Sequence, residues 1–372
     1  MAAIAATGIS VGLVSVVAAP ARAAATSPAT PETQTAATYS TIGDLLGVAA
    51  GATNNAWAVG YTGQDTSPKI LLLHWNGSSW SKVRFKDSGA AGELSAVTVV
   101  NSKDAWAVGY TDSLYGTPHT LILHYNGSTW NPVTSPAPIA GGSLTAVWAS
   151  TKQVWAVGYS DTGPSVVQTF PLSFHLSGTR WSVIRSSKDG GDAFDGVTTT
   201  TSGITFASGL YTGMITGFLE RWNGSSWGYT SFPESATYHW LNGVAAGPDG
   251  TAFSMGFSTA ADSYDVIAVE WNGHSWVKAP VSAPKGSSPD TVAEAPGGTM
   301  WSGGSYSSGS SGHALILRWS GKKWIQVTSP STSAQLSGLG FASAKYGWAV
   351  GETPYSNGSK TYILHWNGST WS

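Results

Sequence analysis

Seven times along the chain, a strand-like element centred on Trp-Ala-Val-Gly is followed by a hairpin-like element that ends in Trp. The first element reads AWAVGY at Ala56–Tyr61 and Ala105–Tyr110, and VWAVGY at Val154–Tyr159. It diverges through TFASGL (Thr205–Leu210), AFSMGF (Ala252–Phe257) and MWSGGS (Met300–Ser305), and returns as GWAVGE at Gly347–Glu352. The second reads HWNGSSW (His74–Trp80), HYNGSTW (His124–Trp130), HLSGTRW (His175–Trp181) and RWNGSSW (Arg221–Trp227). Its last three copies are EWNGHSW (Glu270–Trp276), RWSGKKW (Arg318–Trp324) and HWNGSTW (His365–Trp371). Successive copies lie about 46 to 51 residues apart, the spacing of units that cannot bury their apolar faces alone and must stack on one another.

Each unit resolves into four short strands. A small residue followed by Val or Leu marks the first (Gly47-Val48, Ala96-Val97 and so on to Gly338-Leu339), and Trp-Ala-Val-Gly marks the second. An apolar run such as ILLLHW (Ile70–Trp75) is the third, and the last Trp opens the fourth. Asn-Gly or Ser-Gly joins the third to the fourth, a turn sequence that supplies positive φ. Runs that are apolar on both faces suit sheets packed between neighbouring sheets. The expected fold class is therefore all-β: a seven-bladed β-propeller with four antiparallel strands per blade, over residues 39–372.

Bulk properties narrow the rest. The 372 residues carry a formal net charge of −2, with 10% charged side chains and no cysteine. Such a balance gives no electrostatic footprint for nucleic acid, and without thiols neither disulfides nor Cys-ligated metal can form. Residues 1–23 read as a signal peptide, with an apolar run from Ile9 to Ala19 too short to span a bilayer and a small-residue cleavage site at Ala21-Arg22-Ala23. No Lys or Arg precedes that run. Residues 24–38 are a Thr/Ala/Pro-rich linker, too polar to fold alone. A secreted, monomeric protein with no membrane span and no cofactor is expected.

Of the 19 Trp residues, five fall in the second strand, five end the third and seven open the fourth. A residue tied to a repeat position is read as packing between blades, which leaves Trp148 and Trp240 off-register. Similarly, the residues before the third-strand aromatic (His74, His124, His175, Arg221, Glu270, Arg318, His365) sit too far from the axis to converge on a metal, whose ligands must all lie about 2 Å from one ion. They are read as hydrogen-bonding or solvated groups.

The pairing of D/N-x-W-A-V-G with L-x-H-W-N-G-x-x-W resembles the BNR-like repeats of photosystem assembly-factor propellers, and is similar to kelch or galactose-oxidase-like propellers of secreted bacterial proteins. The resemblance spans about Ile42 to Ser372 and implies fold more than function. Features of the active members are missing. There is no S-x-D-x-G-x-x-W box and no Tyr–Cys cross-link, and no arginine triad lies at the central radius.

Connections from strand one to two and from three to four are short and alike, whereas two-to-three and four-to-one vary between blades. Variable loops on a rigid ring are where binding is expected. Their candidate ligand-binding residues are Tyr110, Asp112, Tyr115, Tyr159, Asp161, Tyr238, His239, Trp240, Tyr264 and Asp265, with Tyr211 and Tyr306 nearby. Tyr and Trp offer flat apolar area together with a polar edge. The expected function is a non-catalytic binding or scaffold propeller for a cell-envelope glycan or a protein partner. The alternative is a glycan-active hydrolase or lyase using carboxylate pairs such as Asp192 with Asp195 or Asp262 with Asp265, at the roughly 5–10 Å separation that chemistry needs. No residue is assigned as catalytic or metal-binding. The last copy ends at Trp371-Ser372, whereas the others continue for several residues, so either the chain is a fragment or the segment near Thr38–Ile42 supplies the closing pairing.

Overall fold

The structure, a computed structural model, describes residues 39–372 apart from 64–67, 87–89, 113–117, 137–140, 162–168, 188–191, 212, 235, 237, 261–262, 309–310, 331–332 and 356–357. The expected leader and linker therefore lie outside the described residues.

Blade 1 consists of Gly43–Ala52, Asn55–Thr62, Lys69–Trp75 and Trp80–Lys82, hydrogen-bonded in that order and antiparallel throughout. The remaining blades repeat this plan, with inner strands Gly92–Asn101, Gly142–Ala149, Asp192–Thr199, Tyr238–Ala246, Ser287–Ala295 and Gln335–Ser343. Each inner strand touches the next, and the last touches the first, so the seven close into a ring. The expected Asn-Gly turns are present. Gly77 has φ 98°, and Asn76 Oδ1 accepts hydrogen bonds from the backbone N–H of Ser78 and Ser79 at 2.9 and 3.0 Å.

Closure uses both ends of the described chain. On the outer edge of Gly358–Trp366, Ser372 and His365 exchange two backbone hydrogen bonds. Further along the same edge, Thr361 N–H donates to the Thr41 carbonyl at 3.0 Å, and Ile42 pairs antiparallel with Lys360. The segment leading into Gly43 thus completes blade 7, as its sequence position suggested.

The core is divided among the seven interfaces between blades. Side chains alternate across a strand, so Trp57 and Val59 pack toward blade 2 while Ala56 and Ala58 pack toward blade 7. Where the repeat is intact, the interface receives Trp and Val from one blade and two small residues from the next, as between blades 1 and 2, where Ala105 and Ala107 meet Trp57 and Val59. The second-strand aromatic of every blade meets the fourth-strand Trp of its successor: Trp57 with Trp130 at 5.1 Å, Trp155 with Trp227 at 5.2 Å, and across the closure Trp348 with Trp80 at 5.1 Å. Edge-on geometry of this kind adds about 0.5–1.5 kcal/mol per pair to the area buried. Trp148, one of the two off-register tryptophans, pairs across strands with Trp155 and packs on the interface between blades 3 and 4. It is a packing residue.

Three of the four third-strand histidines hydrogen-bond through their rings within their own blades, whereas His365 Nε2 has no partner among the described residues. His74 Nε2 lies 2.9 Å from Asn55 Oδ1, His124 Nε2 is 3.0 Å from Asp104 Oδ1, and His175 Nε2 is 3.0 Å from Gln153 Oε1. Their rings cover Trp57, Trp106 and Trp155 at 4.2, 4.1 and 3.9 Å. Burial holds His74, His175 and His365 below the usual 6.5. A depressed histidine favours the folded state above the unfolded value and loses that contribution as pH falls. Urea unfolding is therefore expected to show stability declining as pH drops below 6.5, with a shallower decline in His175→Gln. An identical slope in the variant would rule His175 out as a contributor.

Candidate binding site

Because the strands are antiparallel, the two-to-three and four-to-one connections emerge together where each inner strand begins. On that face, the blade 4–blade 5 junction is built differently from the others. Blades 4 and 5 merge into one sheet through a single parallel pair, Thr216 with His239, and His239 N–H donates to the Ile215 carbonyl at 3.0 Å. Ile215 holds φ 54°, a left-handed conformation that a β-branched residue adopts only under constraint, at about 1–3 kcal/mol. That strain aims its carbonyl across the blade boundary.

An open cleft of about 450 Å³ lies beside this bridge, lined by Tyr211, Met214, Phe218, Tyr229, Phe232 and His239, with Glu234 on its rim. Its size falls within the roughly 300–1,000 Å³ of ligand sites. Local hydrogen bonds fix its walls. His239 Nδ1 lies 3.1 Å from the Ala236 carbonyl, the ring sits edge-on to Phe232 at 5.6 Å, and Ala236 N–H donates to Glu234 Oε1 at 2.8 Å. Of its lining, Met214 is 62% exposed and Tyr229 54%. Large side chains this exposed on one cleft are the kind of surface that interaction sites use.

The sequence candidates are distributed over the ring rather than gathered. Tyr110 and Asp112 end the second strand of blade 2, Asp104–Asp112, and Tyr159 and Asp161 end that of blade 3, Gln153–Asp161. Neither Tyr110 nor Tyr159 is among the described residues that line the cleft. Tyr115 and the side chains of Asp112 and Asp161 lie outside the described residues. In blade 5, His239 lines the cleft, whereas Tyr238, the preceding strand residue, is exposed and is not part of the lining. Trp240 stacks on Phe257 at 4.6 Å, and Phe257 meets Tyr264 edge-on at 5.1 Å. One face of the Trp240 ring is thereby covered. Tyr264 and Asp265 remain exposed at the start of Ser263–Trp271.

Met214 and Phe232 escaped sequence reasoning because they lie in connections whose sequence differs from blade to blade, and Tyr229 because the fourth strand, here Trp227–Thr230, repeats only its opening Trp. The signal that could have found Met214 and Phe232 was the apolar content of those connections. Of the carboxylate pairs considered for catalysis, Asp195 sits within an inner strand near the axis and not on a loop. Asp262 lies outside the described residues.

No family model matches the chain, and no curated protein matches it in sequence. Solved structures do match in fold. A YCF48 structure with a bound D1 peptide aligns at TM-score 0.55 and 14% identity, covering 89% of this chain and 93% of that one. YCF48 from Cyanidioschyzon merolae aligns at TM-score 0.54 and 14% identity, covering 89% and 97%. The β-propeller domain of the trilobed protease from Pyrococcus furiosus aligns at TM-score 0.51 and 9% identity, covering 90% and 96%. Blade number, strand order and coverage converge, and the chain is a seven-bladed β-propeller of YCF48-like architecture.

Proposed function

We propose that this chain is an exported binding propeller whose blade 4–blade 5 cleft holds an extended segment of a polypeptide partner. The observation that carries the reading is the pair of exposed large side chains, Met214 and Tyr229, on a cleft with fixed aromatic walls. Such a surface suits apolar side chains of a peptide, while Glu234 and the Tyr hydroxyls offer partners for its backbone. A sugar-stacking role draws less support, because Phe257 occupies one face of Trp240. YCF48, which this chain resembles in fold, has been captured with a D1 peptide, and a polypeptide occupant here is consistent with that precedent. The leader-like N-terminus supports export.

Selection of a random peptide library against the folded protein tests the reading. Enriched peptides are expected to bind about tenfold more weakly to a Met214→Ser, Tyr229→Ala double variant, equivalent to about 1.4 kcal/mol. Both positions are exposed, so the fold is not at stake. Peptide binding indifferent to the two changes, or a glycan-array ligand in place of peptides, would overturn the assignment.

A further inference from the structure

Each inner strand contains an extra residue in its first half where its register with the second strand shifts, and the inner strands of blades 1, 2 and 7 shift again near their ends. Around the ring these bulge residues are Leu46, Ser95, Thr145, Asp195, Asn242, Asp290 and Ser337. Two of them show what the position does. Thr145 donates its hydroxyl to the Phe194 carbonyl of the next blade at 2.6 Å, and Asn242 donates its amide to the Pro289 carbonyl of the next blade at 2.8 Å. Phe194 and Pro289 occupy the same register, immediately before the bulge of the following inner strand. At these two positions the bulge side chain clasps one blade to its successor, and a clasp of this form needs a donor; Leu46 has none, and Ser95 donates instead to Glu93 Oε1 at 3.4 Å.

Blade 4 places Asp195 at that position, and the equivalent carbonyl of blade 5 belongs to Leu241. The two strands are tightly apposed there, since a Cβ on Gly196 would lie 2.9 Å from Val244 N and 3.1 Å from Gly243 Cα. An ionised carboxylate has only lone pairs to present to a carbonyl, whereas a protonated one has an O–H to donate. We propose that Asp195 is a neutral acid whose O–H closes the clasp between blades 4 and 5 onto the Leu241 carbonyl, and that its ionisation opens this clasp beneath the cleft.

The surroundings favour the neutral form. None of the seven inner strands contains Lys or Arg, whereas Asp44, Glu93 and Asp290 stand on other inner strands of the same ring. The strands packed against Asp192–Thr199 bring few other ionisable groups. Thr205–Tyr211 carries Tyr211, and Tyr238–Ala246 carries Tyr238 and His239. Gln153–Asp161 carries Tyr159 and Asp161, Thr169–Ser177 carries His175, and Gly142–Ala149 carries none. Asp192 lies on the same strand as Asp195. Asp195 is half-buried, and the protein enclosing it raises its carboxyl from 3.8 to about 7. Asp290 is arranged differently, with Gln335 Nε2 donating to it at 2.9 Å.

The clasp stands on backbone register alone; only its relevance to ligand binding rests on the reading of the cleft. A raised acid stabilises the fold fully below its unfolded value and loses that contribution as pH rises through the folded one. Carbon-13 NMR of the side-chain carboxyls is expected to show Asp195 titrating at about 7. Asp195→Asn should match the wild-type urea midpoint near 3.8, exceed it increasingly as pH rises, and level off above about 7. Thr145→Val, which removes a donor that does not titrate, should lower the midpoint by the same amount at every pH. Titration of Asp195 near 3.8, or an Asn variant less stable than wild type in mild alkali, would overturn the neutral acid. A silent Thr145→Val would overturn the clasp. None of these measurements needs a ligand, so failure of the binding reading would leave them intact.

Discussion

Trp155→Ala is expected to destabilise the protein by about 4 kcal/mol, read as a fall in the urea midpoint at constant slope. Trp155 is fully buried, stacked on His175 at 3.9 Å and in contact with Trp222 and Trp227 at 5.2 Å each. These partners come from two blades, so truncation opens a cavity at an interface that neither blade can close alone. The chain also supplies a milder version of the same change. Blades 4 and 5 place Phe206 and Phe253 at this position and retain the contact with the next blade's Trp, at 5.0 and 5.6 Å. Trp155→Phe should therefore cost less than about 1.5 kcal/mol. The Trp155 Nε1–H has no hydrogen-bond partner among the described residues, so the substitution also removes an unsatisfied donor. Equal losses for Ala and Phe would mean that the indole makes a specific interaction beyond filling the interface.

The repeat positions were legible in the sequence because their physics is the same in every blade. A Trp that must fill one interface seven times appears as a period, and the small residue after the bulge repeats because inner strands come closest there. On Gly338, for example, a Cβ would lie 2.9 Å from Gly47 Cα, across the closure between blades 7 and 1. The candidate site was legible only in part. The cluster Tyr238-His239-Trp240 stood out by composition, and His239 does line the cleft. Met214 and Phe232 did not stand out, because a cleft formed by two unlike connections leaves no pattern to compare. Asp195 was misplaced for another reason. Whether a residue lies on a loop or at a bulge depends on strand register, and a single extra residue is invisible in a run of apolar and polar letters. The central part of the ring is therefore where structure adds most to the sequence.

The same bulge explains the one glycine retained in all seven second strands. Gly158→Ala is expected to cost about 3 kcal/mol, although alanine in an open strand position usually helps. A Cβ on Gly158 would press into the carbonyl oxygen of Ser143, and the corresponding glycines of the other blades, from Gly60 to Gly351, face the carbonyl at the same register of their own inner strands. The bulge turns that carbonyl toward the second strand, and a backbone atom cannot rotate away as a side chain can. Gly312 provides the contrast. It too lies in a strand, Ser311–Trp319, but a Cβ there meets nothing within 4 Å. Gly312→Ala should be neutral or stabilising by about 0.5 kcal/mol, through the lower entropy of the unfolded chain. Opposite signs for the two substitutions, measured by thermal and urea unfolding, would tie the repeated glycine to the bulge. A harmless Gly158→Ala would mean that the inner strand can shift its register. The donor positions of the blade clasps, Asp195 among them, would then no longer be fixed by the backbone.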